Sequence, residues 1–383
     1  MSAVPRTRFI PFNRAYMTGR EVDNVERAVD NLHLSGNGPF TRRCEEWLAE
    51  RTGAHRALLT TSGTAALELA TLLLGLGPGD EVIMPSFTFV STANAVVLRG
   101  ATPVFVDVRR DTLNLDVEAA ERAIGTRTRA IVPVHYGGVA CDMDALRSLA
   151  RDRGLALLED AAQGVMASYR GRALGTMGVL GCLSFHETKN LTAGEGGALL
   201  VNDPALTARA EAVHEKGTNR AQFARGLVDK YTWVDVGSSF LPSEINAAFL
   251  WAQLEEADEI TARRLEIWSR YHQAFAPLEA AGRLRRPIVP PECEHNAHMY
   301  YLLLADRPAR DRLIARLGER GVMAVFHYVP LHSSPAGRRY GRTVGDLPHT
   351  DAAADRVVRL PLWAGLDHAD VERIVAEVVA ALG

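Results

Sequence analysis

A lysine stands in a glycine-rich stretch near the middle of the chain, where its amine could form an imine with an aldehyde. The stretch is SFHETKNLTAGEGGALL, residues 184–200, and the lysine is Lys189. Lysine is scarce, because only three of the 43 basic residues are lysines, at positions 189, 216 and 230. Glycines at 194, 196 and 197 let the backbone approach a ligand closely. A solvated surface lysine is the ordinary interpretation, so Lys189 needs partners before it indicates chemistry.

A second stretch offers a seat for a phosphate. The apolar run ALLTT is followed by Ser62, Gly63 and Thr64, and then by apolar residues with helical spacing. A helix N-terminus presents free backbone N–H groups and the positive end of the helix dipole, and the two hydroxyls add donors. The alternative is an ordinary helix cap after a glycine turn. The pattern is neither a Walker loop nor a Gly-x-Gly-x-x-Gly turn.

Two further strand ends carry an aromatic ring and a carboxylate. Phe89 follows the run EVIMP and could lie flat on a planar ring, although it could equally belong to the core. Asp160 ends the run GLALLED, and a buried acid is costly unless it is paired. It is therefore either a structural helix cap or a carboxylate aimed at a cationic nitrogen. Ala162 leaves room for a flat ligand, and Gln163 lies one helical turn after Asp160.

Together these residues predict a site for pyridoxal 5′-phosphate (PLP). That cofactor needs a phosphate seat, an aromatic platform, a carboxylate that keeps its pyridine nitrogen protonated, and a lysine for its aldehyde. Each motif is weak alone, but each follows a predicted strand. Ligands of parallel α/β sheets bind outside the carboxyl ends of the strands, so the motifs should meet. We interpret Lys189 and Asp160 as the catalytic residues of a PLP enzyme.

Other classes of site fit the residues less well. A zinc protease needs HExxH, but Asn190 and Thr218 occupy the second histidine position after the two His-Glu pairs, so we expect no metal. A nucleotide-sugar reductase or epimerase needs a glycine-rich turn after its first strand, and SGNGP at 35–39 follows no strand. A non-catalytic PLP-fold regulator stays an alternative, against which an intact Lys189 argues.

Seven apolar runs are predicted strands of a mostly parallel sheet. They are continuous rather than alternating, as in strands covered by helices on both faces, and helical patterns lie between them. The runs are ALLTT (57–61), EVIMP (81–85), TPVFVDV (102–108), RAIVPVHY (129–136), GLALLED (154–160), CLSFH (182–186) and GALLVN (197–202). The predicted fold class is therefore α/β, with a seven-stranded sheet flanked by helices.

The chain changes character past residue 243. A long helical connection over 243–275 and a proline-rich break lead to a strand pattern at 299–305, a helix, a second strand pattern at 322–331 and a final helix. We predict a large domain over residues 1–245 and a smaller α+β domain over 246–383. Residues 1–30 should pack against the small domain or across the large one.

Composition excludes several classes of protein. The net charge is −3 and the arginines are scattered, which argues against a nucleic-acid partner. The N-terminus lacks the apolar stretch of a signal peptide, and no apolar run is long enough to span a membrane. The four cysteines have no close spacing, as expected of free thiols in a reducing compartment. We expect a cytoplasmic enzyme.

Four motifs and one long segment make the chain resemble the DegT/StrS-type nucleotide-sugar aminotransferases, which are fold type I PLP enzymes. The motifs are TTSGTAALELA, PSFTFVSTANAVVLRGATPVFVDV, EDAAQGVMASYRGRALGT and SFHETKNLTAGEGGALLVND. The segment HEKGTNRAQFARGLVDKYTWVDVGSSFLPSEINAAFLWAQLE resembles the branch that aminates dTDP-4-keto-6-deoxyglucose at C4, giving dTDP-4-amino-4,6-dideoxygalactose. The likeness covers nearly the whole chain.

The resemblance implies roles for particular residues. Lys189 would form the imine and move a proton, Asp160 would pair with the pyridine nitrogen, and Gln163 would reach the ring hydroxyl. The other cofactor ligands would be Gly63, Thr64 and Ser184 at the phosphate, with Phe89 and Ala162 on the two ring faces. The family's usual amino donor is glutamate, and the implied acceptor is a nucleotide-linked keto sugar. A 4-keto-pentose is an alternative acceptor.

The resemblance also implies a homodimer with composite sites. Many relatives carry a Gly-x-Asn stretch that reaches the phosphate across the dimer interface. Here the stretch is GSS, so Ser239 would take this role. A diphosphate needs cations and a base needs an aromatic face, so the substrate-binding candidates are Lys216, Arg220, Lys230 and Tyr231, with a solvated loop as the alternative. His327 and His332 would line the sugar pocket or pack within the small domain.

Overall fold

The main sheet consists of the segments that the apolar runs predicted, plus one more. The computed structural model describes residues 8–383, and its strands in chain order are β1 Arg56–Thr60, β2 Glu81–Pro85, β3 Thr102–Val106, β4 Thr128–Ile131, β5 Ala156–Asp160, β6 Ser168–Tyr169, β7 Arg172–Ala173, β8 Leu180–Ser184, β9 Gly197–Val201, β10 Cys293–Glu294, β11 Tyr300–Leu303, β12 Arg342–Thr343 and β13 Val357–Leu360. The main sheet has the order β1-β9-β8-β5-β4-β2-β3-β12. Its pairs are parallel except those of β9, which runs antiparallel to β1 and β8. The predicted mostly parallel α/β sheet is confirmed.

The prediction of seven strands was wrong, because within the described residues the main sheet has eight. The added strand, β12, lies at the edge and pairs with β3 over two residues only. Arg342 in β12 donates from Nη2 to Oε2 of Glu81 in β2 at 2.6 Å. A two-residue strand has no periodicity of its own, so only its partners define it.

Strand direction brings the site residues to one edge of the sheet. Because β9 is antiparallel to both neighbours, β1 and β8 run the same way as β2 and β5. The residues that follow these four strands therefore emerge together. Every residue of β2, β8 and β9 is buried, as expected of strands covered on both faces.

Helices cover both faces of the sheet and form most of the remaining chain. In chain order they are α1 Glu21–Asp30, α2 Pro39–Thr52, α3 Gly63–Leu73, α4 Val90–Val97, α5 Val117–Ala123, α6 Met143–Arg153, α7 Thr207–His214, α8 Arg220–Ala224, α9 Glu244–Glu255, α10 Ala257–Ala274, α11 Ala276–Ala280, α12 Arg307–Glu319, α13 Pro335–Tyr340, α14 Pro348–Arg356 and α15 His368–Leu382. Helix α6 begins where Asp142 Oδ1 accepts from Ala145 N at 3.1 Å, and it ends at Gly154, whose φ is 65°.

The long helical connection predicted over 243–275 is two helices, α9 and α10, separated at Glu256. Ser243 caps α9, because its side chain accepts from Asn246 N at 3.4 Å. The buried carboxylate of Glu244 accepts from the backbone of α2, and apolar residues of α9 share the core of the main sheet. The domain boundary between residues 245 and 246 falls at the start of α9, and this division stays a prediction.

A second, two-stranded sheet is formed by β11 and β13, which are antiparallel. The strand predicted over 322–331 is wrong, because that segment makes only single bridges, at Val322 and Val325. Pro330 has no backbone N–H, so it cannot donate a hydrogen bond to a neighbouring strand. His327 and Tyr328 pack against Phe87 and Tyr136 in an aromatic cluster instead.

The N-terminal segment contacts both parts of the chain. Ile10 N donates to Gly321 O at 2.8 Å, and Met323 N donates to Ile10 O at 2.9 Å. Farther on, α1 packs on α9, where Gln253 Nε2 donates to Glu21 Oε1 at 2.7 Å. The prediction for residues 1–30 includes positions 1–7, which lie outside the described residues.

The four cysteines are buried free thiols. Across residues 8–383, no helix is both long enough and apolar enough to cross a membrane.

Candidate active site

A cavity of about 520 Å³ opens at the edge of the main sheet where β1, β2, β5 and β8 end. The turns after these strands form one wall. The segment 325–328 and β13 of the second sheet form the opposite wall, and Phe12 and Asn13 of the N-terminal segment lie at its margin. A concave site at this edge is the expected location for a ligand in an open α/β sheet.

The β1–α3 turn forms a cradle with the end of β8. Ser62 Oγ accepts from Ala65 N at 3.0 Å and starts α3. A Cβ at Gly63 would lie 2.8 Å from Ser184 Cβ, so only glycine allows this approach. Thr64 Oγ1 lies 2.7 Å from Ser91 Oγ. Hydroxyls and N–H groups at the first turn of a helix suit a phosphate, and the cradle fits the phosphate end of PLP.

Asp160, at the end of β5, is held with its carboxylate in the cavity wall. Only 5% of the residue is exposed. Its Oδ2 accepts from Thr92 Oγ1 at 2.7 Å, and its Oδ1 accepts from Ala162 N at 3.1 Å. The hydroxyls of Thr92 and Thr88 are 3.0 Å apart. Both carboxyl oxygens therefore accept hydrogen bonds and are held in one orientation, which suits pairing with a cationic ring nitrogen.

Ala162 and Gln163 line the cavity beside Asp160. Gln163 is fixed at both ends of its amide, because Oε1 accepts from Gly137 N at 2.7 Å and Nε2 donates to Tyr328 OH at 3.1 Å. Phe89 also lines the cavity and is 58% exposed, so its ring is open to a ligand.

Lys189 lies in the turn after β8 and reaches into the cavity. Its backbone N–H donates to His186 O at 2.8 Å, which closes the turn. Within the described residues, its Nζ makes no hydrogen bond or salt bridge. Burial lowers the pKa of this amine to about 8, and the charge of Arg359 also lowers it, whereas Asp160 opposes the shift. A neutral amine is the nucleophile that attacks an aldehyde, so Lys189 is activated for imine chemistry.

The two predicted sugar-pocket histidines differ in location. His327 lines the cavity, its Nδ1 lies 3.1 Å from Tyr136 OH, and burial holds its pKa well below the usual range. His332 lies outside the cavity. A short 3₁₀ turn, Leu331–Ser333, directs it toward Ser86, whose Oγ lies 2.8 Å from His332 Nδ1.

Five other predicted residues also lie away from the cavity of this chain. They belong to an exposed segment over 216–239 and are Lys216, Arg220, Lys230, Tyr231 and Ser239. Ser239 bridges Glu215 through the backbone, and Tyr231 packs against Phe223 at 5.7 Å. Trp233 in the same segment is 78% exposed.

Arg359 is a cavity residue that sequence reasoning missed. It projects from β13, its Nη2 donates to Phe326 O at 3.2 Å, and its guanidinium lies 4.6 Å from the ring centre of Phe12. Its Nε is buried without a partner among the described residues. Burial lowers the pKa of Arg359, and no described carboxylate lies within salt-bridge distance. An arginine inside the apolar run VVRL was the available signal, because a charge there is costly without a ligand.

The cavity therefore joins a phosphate cradle, a held carboxylate, an activated lysine and an unpaired arginine. No group of three His, Cys, Asp or Glu side chains in residues 8–383 is arranged to hold a metal ion. The residues fit a ring aldehyde that carries a phosphate.

Comparisons with known proteins agree with this chemistry. Residues 16–379 match the model of the DegT/DnrJ/EryC1/StrS aminotransferase family. The spore coat polysaccharide biosynthesis protein SpsC of Bacillus subtilis is 35% identical over 381 residues, which cover 97% of each chain.

Solved structures agree in fold. The aminotransferase TlmJ from Streptoalloteichus hindustanus has a TM-score of 0.90 at 35% identity, with 98% of this chain and 99% of that one covered. The putative sugar aminotransferase Spr1654 from Streptococcus pneumoniae, in its PLP form, has a TM-score of 0.88 at 26% identity, with 98% and 100% covered. The chain therefore belongs to the DegT/DnrJ/EryC1/StrS aminotransferase family and is a PLP-dependent sugar aminotransferase.

Proposed function

We propose that this enzyme transfers an amino group from glutamate to C4 of a nucleotide-linked keto sugar. The proposed acceptor is dTDP-4-keto-6-deoxy-D-glucose, and the product is a dTDP-4-amino-4,6-dideoxyhexose. The observation that carries the proposal is the cavity itself, in which an activated amine faces a hydrogen-bonded carboxylate and a phosphate cradle.

Each cavity residue has a proposed task. PLP supplies an aldehyde and an electron-withdrawing ring. Lys189 would bind the aldehyde and carry a proton, because burial lowers the pKa of its amine to about 8 and so increases the fraction that is neutral at physiological pH. Asp160 holds a proton on the ring nitrogen, and Gln163 orients the ring. The remaining contacts are assigned to Gly63, Thr64 and Ser184 at the phosphate, and to Phe89 and Ala162 at the ring faces.

Arg359 supports an anionic amino donor. Its Nε is buried in the cavity wall without a partner among residues 8–383, and a carboxylate is the group that a guanidinium binds best. Phe12 covers one face of the guanidinium and limits its contact with water. We assign Arg359 to the donor, which fits a dicarboxylic amino acid such as glutamate. His327 remains assigned to the sugar, as a neutral hydrogen-bonding group.

The nucleotide would be bound at a dimer interface. The cations Lys216, Arg220 and Lys230 and the ring of Tyr231 lie on an exposed segment that also carries large exposed apolar side chains. We propose that this segment reaches the cavity of a second copy in a homodimer, with Ser239 near its phosphate. We also propose a cytoplasmic enzyme, in keeping with four free thiols.

The decisive experiment is incubation of the PLP-loaded enzyme with glutamate and dTDP-4-keto-6-deoxyglucose, followed by NMR of the product sugar. We expect an amino group at C4 and the formation of 2-oxoglutarate. A parallel incubation with a nucleotide-linked 4-keto-pentose tests the alternative acceptor. Bound PLP with no amination of any keto sugar would contradict the proposal and favour a non-catalytic regulator.

Lys189→Ala is the control for this reaction. We expect loss of the visible absorption band of the lysine-bound cofactor and loss of turnover. A variant that still aminated the sugar would overturn the role of Lys189.

A further inference from the structure

A buried polar network lies behind Lys189 and does not belong to the proposed reaction. Its members are Asn190, Asn296, His298 and Arg264, and the first two are almost fully buried. Buried polar side chains are retained when they are satisfied and when they fix one arrangement of the chain. The network therefore has a structural task that the cavity residues do not explain.

Asn190 and Asn296 connect the lysine turn to the turn after Asp160. Asn190 Nδ2 donates to Asn296 O at 2.8 Å. Asn296 Nδ2 donates in turn to Gln163 O at 2.8 Å and to Val165 O at 2.7 Å. One side chain next to Lys189 is thus tied, through a single residue, to the backbone that follows Asp160.

The turn over residues 296–298 is held in a costly conformation. Ala297 has a φ of 50°, in the left-handed region that alanine seldom adopts. Arg264 stabilises it, with Nε donating to Ala297 O at 3.2 Å and Nη2 donating to His298 O at 2.8 Å. Strain of this kind persists where surrounding contacts enforce it, and it is common near functional sites.

The hydrogen bonds also fix the proton on His298. A carbonyl oxygen only accepts, so the Asn190 atom that faces Asn296 O must be Nδ2. Its other amide atom, Oδ1, lies 2.9 Å from His298 Nδ1 and must accept from it. The ring therefore carries its proton on Nδ1. Burial and the nearby cations hold the pKa of His298 well below the usual range, so the ring stays neutral.

We propose that Asn190, Asn296 and His298 form a clamp that positions Lys189 against Asp160, with His298 in the neutral Nδ1–H form. The inference rests on the proposed role of Lys189 as the amine that binds PLP. The clamp residues are positioning residues: they fix the turn from which the lysine reaches the cofactor. His298 also lines the cavity, but the clamp requires only its Nδ1.

Two variants, tested in the PLP-loaded enzyme, each remove hydrogen bonds of the clamp. Asn190→Ala removes both bonds to the 296–298 turn, and His298→Leu removes the donor to Asn190. We expect either to lower kcat about tenfold to hundredfold, the usual cost of misplacing a reacting group. In Asn190→Ala, KM for the donor should change by less than about threefold, because Asn190 does not line the cavity. The pH midpoint of the visible cofactor band should also move.

A conservative variant and a control variant far from the site distinguish a positioning role from a general loss of structure. His298→Asn keeps a donor at the position of Nδ1 and should restore kcat to within about threefold of the parent. Asn202→Ala is the control for Asn190→Ala, because Asn202 also makes two hydrogen bonds through its side-chain amide, to Gly175 O and Gly178 O, but lies at the opposite edge of the sheet. It should leave kcat and the cofactor band unchanged.

A second readout is independent of turnover. Histidine ¹⁵N spectra, assigned with His298→Asn, should show His298 protonated on Nδ1 alone at neutral pH. Protonation on Nε2, or equal loss of kcat in His298→Asn and His298→Leu, would overturn the clamp. If the parent enzyme forms no visible cofactor band, the proposed role of Lys189 fails, whatever the tautomer of His298.

Discussion

At the scale of single residues, the site contrasts one hydrogen-bonded carboxylate with two basic side chains. Asp160 accepts hydrogen bonds on both carboxylate oxygens, so its charge is held in place. Lys189 and Arg359 have no salt-bridge partner among the described residues. A buried cation without an acidic partner is costly in free energy, and a ligand that supplies a negatively charged group lowers that cost. The cavity is in this respect built to receive anions.

Asp160→Asn tests the hydrogen-bonded carboxylate. A neutral amide of the same shape cannot hold a proton on the ring nitrogen, although Thr92 can still bond to it. We expect PLP to bind and transamination to fall by roughly hundredfold or more. Single-turnover absorbance with glutamate measures the step, and an unchanged rate would contradict the assigned role.

Arg359→Met tests in two ways what the positive charge of Arg359 contributes to the site. The positive charge of Arg359 lowers the pKa of Lys189, so its removal should raise that pKa above about 8. The pH midpoint for PLP capture by cofactor-free enzyme should then move upward, since only the neutral amine reacts. KM for glutamate should rise about tenfold or more, because a charged hydrogen bond is lost.

Arg356→Met is the matched control, because Arg356 bonds to Leu304 O, away from the cavity. It should change neither the midpoint nor the KM. Equal effects of the two variants would remove the case for Arg359 as the donor residue.

At the scale of elements, the proposed phosphate cradle depends on two glycines that allow three chain segments to approach one another closely. A Cβ at Gly197 in β9 would lie 2.4 Å from the carbonyl carbon of Ser62, and one at Gly63 would meet Ser184. These contacts let β1, β8 and β9 converge on the first turn of α3. Gly197, in the glycine-rich stretch after Lys189, thus shapes the proposed phosphate seat.

Gly63→Ala tests the cradle. The added methyl group must displace Ser184 or the start of α3, so we expect PLP affinity to fall about tenfold to hundredfold. Equilibrium dialysis of PLP measures it. Gly77→Ala is the control, because a Cβ at Gly77 meets no atom within 4 Å. Unchanged affinity in Gly63→Ala would argue against this seat.

At the scale of the whole molecule, the chain separates its proposed substrate contacts into two groups. Cofactor and donor residues line one cavity, whereas the proposed nucleotide residues lie on the exposed segment 216–239. Large exposed apolar side chains in that segment, such as Trp233 and Leu227, favour coverage by another protein surface. A second copy that covers it would bring both groups together.

Complementation tests this assembly. A chain with Lys189→Ala and a chain with Lys216, Arg220 and Lys230 changed to Ala should each be inactive alone. Random mixing of the two in a dimer with shared sites should restore about a quarter of the parent activity. Absence of recovery together with a monomer in sedimentation would contradict the composite site.

The sequence by itself determined the sheet, the order of its motifs and the cofactor. Seven continuous apolar runs predicted strands that are covered on both faces, and four of these runs are followed by the candidate site residues. Lys189, Asp160 and Gly63 were therefore candidates because their motifs occur together, and the resemblance to a known family implied their roles.

Tertiary structure alone decided the features that depend on distant partners. Strand β12 is defined only by its pairing with β3. The 322–331 segment does not form a strand, because its aromatic side chains pack against Phe87 and Tyr136. The exclusion of His332 from the cavity, the unpaired charge of Arg359 and the clamp at Asn190 are invisible in sequence. Each depends on which side chains meet after folding, and local periodicity carries no information about such contacts.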